Sequence, residues 1–365
     1  MGLPWLSQVR SLHLAIIALT GSLILYFLHV ITYQSPLTLM SLEFSKSVNL
    51  STSSEIGLTQ NKNETNPIKN NASNRSTIAS IEGAQSQPDL TKGIPAKVIY
   101  ESGYLQIPLK LCPDQGVGIQ LLVMVTSAPS HESARMAIRQ TWGHYATRRD
   151  VAVAFMLGST SNETLRTQIE SEQYLYQDII RGKFVDTYDN LTLKTISMLE
   201  WVDSNCPKAA FVLKTDDDMF INVPKLLTFV GKHNPQDRAI YGRLAKKWKP
   251  IRNKKSKYYI SPRQYKPSVF PDFTTGPAYL MPARLAKELY NAALTQPYFK
   301  LEDVFVTGIV ADSLKIKRVL VPEFLNKRVS FTPCNVQKGI SVHMVKGAEQ
   351  YELWKKLLDG LTKCK

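Results

Sequence analysis

Cysteine is scarce in this sequence: Cys112, Cys206, Cys334 and Cys364 are the only four in 365 residues. None belongs to a Cys-x-x-Cys pair or stands near a histidine at zinc spacing, which argues against a zinc module. No internal repeat is present. Aromatic residues all but vanish from residues 34–95, where Phe44 is the only one among Ser, Thr, Asn, Lys and Gln. A stretch of that composition cannot bury enough apolar surface to offset its ordering entropy, so residues 34–98 read as a flexible stem. Acidic residues are also in deficit, 30 against 45 basic ones, for a formal net charge of +15.

Formal charge is missing altogether from residues 12–33, 22 residues broken only by His13, Thr20, Ser22, His29 and Thr32. About 20 apolar residues span a bilayer, whereas a cleavable signal has an apolar core of roughly 7–15. Trp5, Tyr26 and Tyr33 suit the interfaces, where amphipathic rings are favoured. Arg10 precedes the run and no charge follows it until Glu43. The positive-inside bias therefore predicts a cytosolic tail (1–11), a signal-anchor helix (12–33), and everything beyond on the lumenal side. Asn-x-Ser/Thr acceptors at Asn49, Asn63, Asn71 and Asn74 fall in the stem, with Asn162 and Asn190 further on. Four of them in one polar, membrane-proximal stretch predict a glycosylated stem. An oxidising lumen makes two disulfides the default, and three pairings remain open. A lumenal address also argues against nucleic acid as the partner of the basic residues. Seven of these lie in the twelve residues 246–257 around Trp248. That run reads as a solvated loop or as a flexible lip near an anionic donor or acceptor.

Residues 99–365 remain for one large domain or two tightly joined halves. The apolar runs 119–126, 151–157 and 209–214 read as buried strands, and 131–142, 191–202, 223–232 and 284–294 as helices. Strands alternating with helices predict an α/β fold with a mainly parallel sheet. The third strand runs into Asp216-Asp217-Asp218, followed by Met219-Phe220-Ile221. Like charges a few Å apart raise one another's pKa unless a cation neutralises them. In extended chain, residues i and i+2 point the same way, so Asp216 and Asp218 are expected to converge. Hard oxygen ligands select Mg²⁺ or Mn²⁺, at the sheet end where α/β folds place ligands. The plainer reading, an acidic turn capping the next helix, gives way because apolar residues flank the triplet on both sides.

Other residues are ambiguous on their own. Arg135 and Arg139 share a helix face, and an ordinary Glu132–Arg135 ion pair explains them as well as phosphate binding does. Glu302 and Asp303 could cap a helix or present a general base. His343 alone reads as structural.

Taken in order, these pieces resemble the β1,3-glycosyltransferases of glycosyltransferase family 31, which includes the β1,3-galactosyltransferases. The resemblance runs over residues 112–364. It rests on Arg135-x-Ala-Ile-Arg-x-Thr-Trp-Gly143, Asp186-Thr-Tyr-Asp-Asn-Leu-Thr-Leu-Lys-Thr195, Lys214-Thr-Asp-Asp-Asp-Met-Phe220, Glu302-Asp-Val-Phe305 and Ser341-Val-His343. It implies a GT-A fold, a type II Golgi membrane protein and an inverting transfer. Galactose would pass from UDP-galactose to the 3-hydroxyl of a terminal sugar on a glycoprotein, glycolipid or proteoglycan. Asp216, Asp218 and His343 would hold Mn²⁺. Arg135, Arg139, Lys194, Asp216, Asp217, Gly276 and Glu302 would face the nucleotide sugar, and Asp303 would be the base. Cys334 would pair with Cys364, leaving Cys112 for Cys206. A homodimer is compatible with this reading. Glu302 before Asp303 leans to galactose over N-acetylglucosamine. Thr307 before Gly308, and Pro277 in the segment Thr275-Gly276-Pro277-Ala278-Tyr279, depart from the family pattern.

Overall fold

The structure is a computed structural model describing residues 93–364. The expected tail, membrane span, most of the stem, and the acceptors Asn49, Asn63, Asn71 and Asn74 lie outside the described residues. Among the described residues no helix is long and apolar enough to cross a membrane.

The described residues form ten strands: β1 (Tyr104–Gln106), β2 (Leu121–Thr126), β3 (Val151–Ser159), β4 (Ile179–Val185), β5 (Phe211–Asp216), β6 (Phe220–Ile221), β7 (Ala239–Ala245), β8 (Phe273–Pro282), β9 (Lys317–Leu320) and β10 (Ser341–Val342). The main helices are α1 (Glu132–Arg139), α2 (Glu163–Tyr176), α3 (Leu191–Asn205), α4 (Val223–Val230), α5 (Leu285–Thr295) and α6 (Gly347–Leu357). Eight strands make one sheet in the order β1-β4-β3-β2-β5-β8-β7-β9. Its centre, β4-β3-β2-β5, is parallel. β8 runs antiparallel to both β5 and β7, and β1 antiparallel to β4, so the sheet is mixed.

Continuous apolar runs mark strands covered on both faces, and every residue of β2 is buried. Alternation then sorts the core. Leu122, Met124 and Val212 pack with Ile196, Trp201 and Leu289 from α3 and α5. Leu121, Val123 and Leu213 pack on the other face with Ile138, Trp142 and Leu353. β2 and β5 end in register, Thr126 opposite Asp216, which brings two loops to one rim of the sheet.

The folded unit starts earlier than residue 99. Ala96 is fully buried and its N–H donates to Gln296 O, while Tyr298 N donates to Ile94 O. The sulfurs are joined as Cys112–Cys206 and Cys334–Cys364. Asn162 is exposed at the start of α2, where its Oδ1 accepts from Leu165 N. Asn190 instead donates its amide nitrogen, the atom a glycan would take, to Val185 O.

Near Cys112–Cys206 the N-terminal segment is fastened to a carboxylate. Glu200, 8% exposed on α3, accepts from the hydroxyls of Tyr100, Ser102 and Tyr290 and from Gly103 N–H. Burial opposes its charge, but these donors outweigh it and hold the pKa below the ordinary glutamate range. A carboxylate shifted this way adds stability at neutral pH that is lost as pH falls through its folded-state pKa. Glu200→Ala should cost about 2–4 kcal/mol by stranding several donors. Its melting point should also vary less than wild type's across the acid range. Equal loss at every pH would remove the charge from this account.

Candidate active site

Strand β5 ends on the acidic triplet, and each carboxylate turns to a different partner. Asp216 Oδ1 accepts from Lys214 Nζ (2.6 Å) and from Thr126 Oγ1 (2.7 Å), its neighbour across the β2–β5 register. Asp217 Oδ2 accepts from Ser127 Oγ at 2.7 Å and lies 2.8 Å from His131 Nδ1. Asp218 is the most open of the three, 48% exposed, with its Oδ2 3.3 Å from His343 Nε2. Distance along the chain is overcome by pairing: β6 lies antiparallel to β10, with Phe220 opposite Val342, so His343 arrives beside the triplet. Val345 N closes the turn by donating to Asp218 O (2.9 Å). Burial works against a charge on His343, but Asp218 and Asp216 outweigh it and raise its pKa above the ordinary histidine value.

The expected convergence of Asp216 and Asp218 is not what the backbone delivers. β5 ends at Asp216, and the turn that follows aims Asp218 at β10 while Asp216 stays on Lys214. Among the described residues no three His, Cys, Asp or Glu side chains close round one point.

Lys214 is the hub of the acidic site and was not singled out from the sequence. Its signal was legible: a lone charge in an apolar strand, two residues before Asp216 and so on the same side of β5. It is 4% exposed, donates to Gly276 O (2.8 Å) as well as Asp216, and stands 3.7 Å from Glu302 Oε2. Burial opposes this ammonium, but Asp216, Glu302 and Asp303 keep its pKa above the ordinary lysine value.

Glu302 and Asp303 open a helical segment whose turns over Val304–Val310 are π-helical. Glu302 is 7% exposed and accepts from Tyr279 OH (2.7 Å), and burial pushes its pKa up to about 7. Asp303 is half-buried, with Oδ2 accepting from Gly276 N (3.0 Å) and Oδ1 from Val304 N (2.9 Å). Burial raises its pKa, and the two backbone donors only partly offset that. A Cβ on Gly276 would meet both carboxyl groups at 3.5 Å, ordinary contact distance, so glycine here leaves their face open rather than avoiding a clash. Thr307, one of the departures from the family pattern, ties this helix to β8. Its Oγ1 accepts from Thr274 N (2.9 Å) and lies 2.7 Å from Asp303 O.

Three expected donor contacts sit behind this rim rather than on it. Arg135 is fully buried and makes a two-pronged pair with Glu172 (2.8 and 2.6 Å) while donating to Ala128 O and Ser127 Oγ. Arg139 pairs with Asp178 and Glu172 and lies over the Phe155 and Tyr176 rings. Lys194 is 3% exposed and donates to Asp186 Oδ1 (2.9 Å) and Ser127 O (2.7 Å). A buried cation needs a close counter-charge, and Glu172, Asp178 and Asp186 supply it from within the domain. Arg135 and Lys194 brace the β2–α1 loop, whose Ser127 in turn holds Asp217. The simple Glu132–Arg135 ion pair is not formed either. A cavity of about 570 Å³ between α1 and α2, lined by Met136, Glu163, Leu175 and Tyr176 among others, reaches none of the triplet.

The basic run is folded back on itself by hydrogen bonds and packing. Arg252 donates to Ile260 O, Tyr265 O and Pro267 O, and Trp248 packs edge-on against Phe273.

Residues 133–322 match the family model described as Galactosyltransferase. "Beta-1,3-galactosyltransferase 5" of Pan paniscus is 37% identical over 242 residues, covering 65% of this chain and 80% of that protein. "UDP-GlcNAc:betaGal beta-1,3-N-acetylglucosaminyltransferase 7" of Rattus norvegicus is 34% identical over 268 residues, covering 68% and 67%. "Beta-1,3-galactosyltransferase 1" of Mus musculus is 32% identical over 238 residues, covering 64% and 72%.

Proposed function

The chain belongs to the galactosyltransferase family and is a glycosyltransferase, and from that premise we propose a manganese-dependent, inverting transfer of galactose from UDP-galactose to the 3-hydroxyl of a terminal sugar. The acceptor glycan would be carried on a glycoprotein, glycolipid or proteoglycan, and the enzyme would sit in the Golgi membrane as a single-pass type II protein of GT-A architecture.

One observation carries the reading. Asp303 is a half-buried carboxylate fixed by two backbone N–H groups, beside an acidic triplet and a histidine on the same rim. A general base must be held in place, reachable and ionisable near neutral pH. Asp303 would take the proton of the acceptor hydroxyl while that oxygen attacks the anomeric carbon, opposite the leaving diphosphate. Glu302 would hold Lys214 and Tyr279 in place behind it. Lys214 would keep Asp216 oriented, and Gly276 leaves room for the sugar over both carboxyl groups.

Asp218 and His343 fit a divalent cation: one oxygen and one imidazole already face each other, and Asp218 is open to solvent. Mg²⁺ and Mn²⁺ sites of this kind take one or two protein ligands and complete their shell with phosphate and water. Asp216 would join them through Oδ2, since both of its present side-chain partners donate to Oδ1. When bound, such a cation stabilises charge developing on the leaving diphosphate.

UDP release from UDP-galactose by the full chain should require Mn²⁺ and disappear in EDTA. Losing an outer-shell partner alone costs about 10–100-fold in metal affinity, so His343→Ala should raise the half-saturating Mn²⁺ at least that far. Calorimetric UDP binding at fixed Mn²⁺ should weaken with it. An unchanged Mn²⁺ requirement in both measurements would take His343 out of the metal site. UDP-N-acetylglucosamine is the second reading, since a relative named for that donor matches at 34%. Side-by-side donor competition separates the two. Absence of any Mn²⁺-dependent UDP binding would favour a silent lumenal binding protein instead.

A further inference from the structure

Three segments far apart in sequence meet next to Glu302 and Asp303: the turn Tyr188–Asn190 before α3, the end of the basic run, and residues 298–300. Tyr298 OH donates to Asp189 O (2.6 Å), and Thr192 Oγ1 donates to Phe299 O (2.7 Å). Lys300 Nζ donates to Lys257 O (3.3 Å) and lies 3.8 Å from Asp189 Oδ1. Because residues 298–300 lead directly into Glu302, whatever this junction holds lies at the mouth of the carboxylate site.

What it holds is an exposed clamp of two rings and a cation. Lys257 Nζ stands 4.9 Å from the ring centroid of Tyr188 and 4.9 Å from that of Tyr258. The phenols are 49% and 42% exposed. Among the described residues Lys257 has no carboxylate partner, and Lys254 and Lys255 stand exposed on the same turn. Burial, then the Tyr258 hydroxyl, raise the Tyr188 pKa, and the charges of Asp303 and Asp216 add to it, as expected of a ring facing that site. A cation over aromatic faces is a stable surface arrangement by itself, worth little more than a solvated loop. Here it stands at the entry to a site that must admit a sugar. Aromatic faces receive the apolar face of a sugar ring, and a lysine without a partner is free to pair with an anion.

We propose that Tyr188, Lys257 and Tyr258 form the acceptor rim of this enzyme and give it a preference for terminal sugars carrying a negative charge. The proposal rests on the transferase reading above. The acceptor class is an anionic glycan, with sulfate as the test group.

The probes are p-nitrophenyl β-glycosides of N-acetylglucosamine, N-acetylgalactosamine and galactose, each neutral or 6-sulfated, with UDP-galactose and Mn²⁺. For the sugar turned over fastest, the sulfated form should show a KM about three- to fivefold lower at low salt, the range of an exposed ion pair. The advantage should fade in 0.5 M NaCl, where screening is nearly complete beyond a few Å. Lys257→Gln should bring the ratio of the two KM values to about one. Lys287→Gln removes the same charge from exposed α5 and should keep the wild-type ratio. UDP release without acceptor is measured alongside. No release would mean that the donor reading had failed. Release with equal KM for each pair, a ratio that survives Lys257→Gln or falls equally in Lys287→Gln, or turnover of none of the six, would overturn the rim.

Discussion

Asp303→Asn should lower kcat for sugar transfer by about 10³-fold while leaving UDP affinity near wild type, as expected for loss of a positioned general base. The substitution is nearly isosteric, and the amide oxygen can still accept from Gly276 N–H, at the loss of the bond from Val304 N–H. What disappears is the site that takes the acceptor proton. Burial already raises the Asp303 pKa, so activity should fall as pH drops, at a pH above that of an ordinary aspartate. Glu302→Gln is the informative companion. The new amide oxygen still accepts from Tyr279 OH, and its main loss is the charge facing Lys214. Its effect on kcat should be the smaller of the two. Glu302, its pKa pushed up to about 7, is the neighbour poised for the same task. A reversed ranking, with Glu302→Gln the more damaging, would move the base one residue back. Wild-type activity in Asp303→Asn would sink the assignment altogether.

The second large effect falls on stability. Arg135→Ala should destabilise the fold by about 3–5 kcal/mol, because it removes the two-pronged partner of buried Glu172, leaving only Arg139 to offset that charge, and strips Ala128 O and Ser127 Oγ of their donor. For a domain of this size that corresponds to roughly 10 °C in melting temperature. Arg135→Met combined with Glu172→Leu should recover most of the loss, since both members of the buried pair become apolar and Arg139 keeps its pair with Asp178. Expression and melting curves decide it. If Arg135→Ala melts like wild type and only UDP affinity falls, the guanidinium is a donor contact after all. The resemblance pointed Arg135 and Arg139 at the diphosphate, whereas packing commits both to Glu172 and Asp178.

The strands 119–126, 151–157 and 209–214 were readable because unbroken apolar runs have few alternatives to a sheet covered on both faces. Strands β7, β8 and β9 were not, and neither was β4. Their burial is uneven, and β8 runs against the parallel direction that alternating strands and helices suggest. The acidic triplet was visible because several carboxylates beside apolar chain are too costly to be incidental, whereas Glu302 and Asp303 gained a role only through the family resemblance. Thr126, Ser127, His131 and Tyr279 carry no such mark. Each becomes part of the site only through the register of β2 with β5 or of β5 with β8.

By itself the sequence determined the α/β class, the residues with costly charge, and the family to which they belong. All of these follow from local composition and motif. Tertiary structure alone decided which charges face the rim and which brace it from behind. Lys194, Arg135 and Arg139 look in sequence like Lys214, a cation within a motif that carries the family resemblance. Only contacts between segments distant in sequence show that the first three are neutralised inside the domain, while Lys214 stands among the carboxylates of the site. A charge's role depends on its nearest counter-charge, and that distance is set by contacts between residues far apart along the chain.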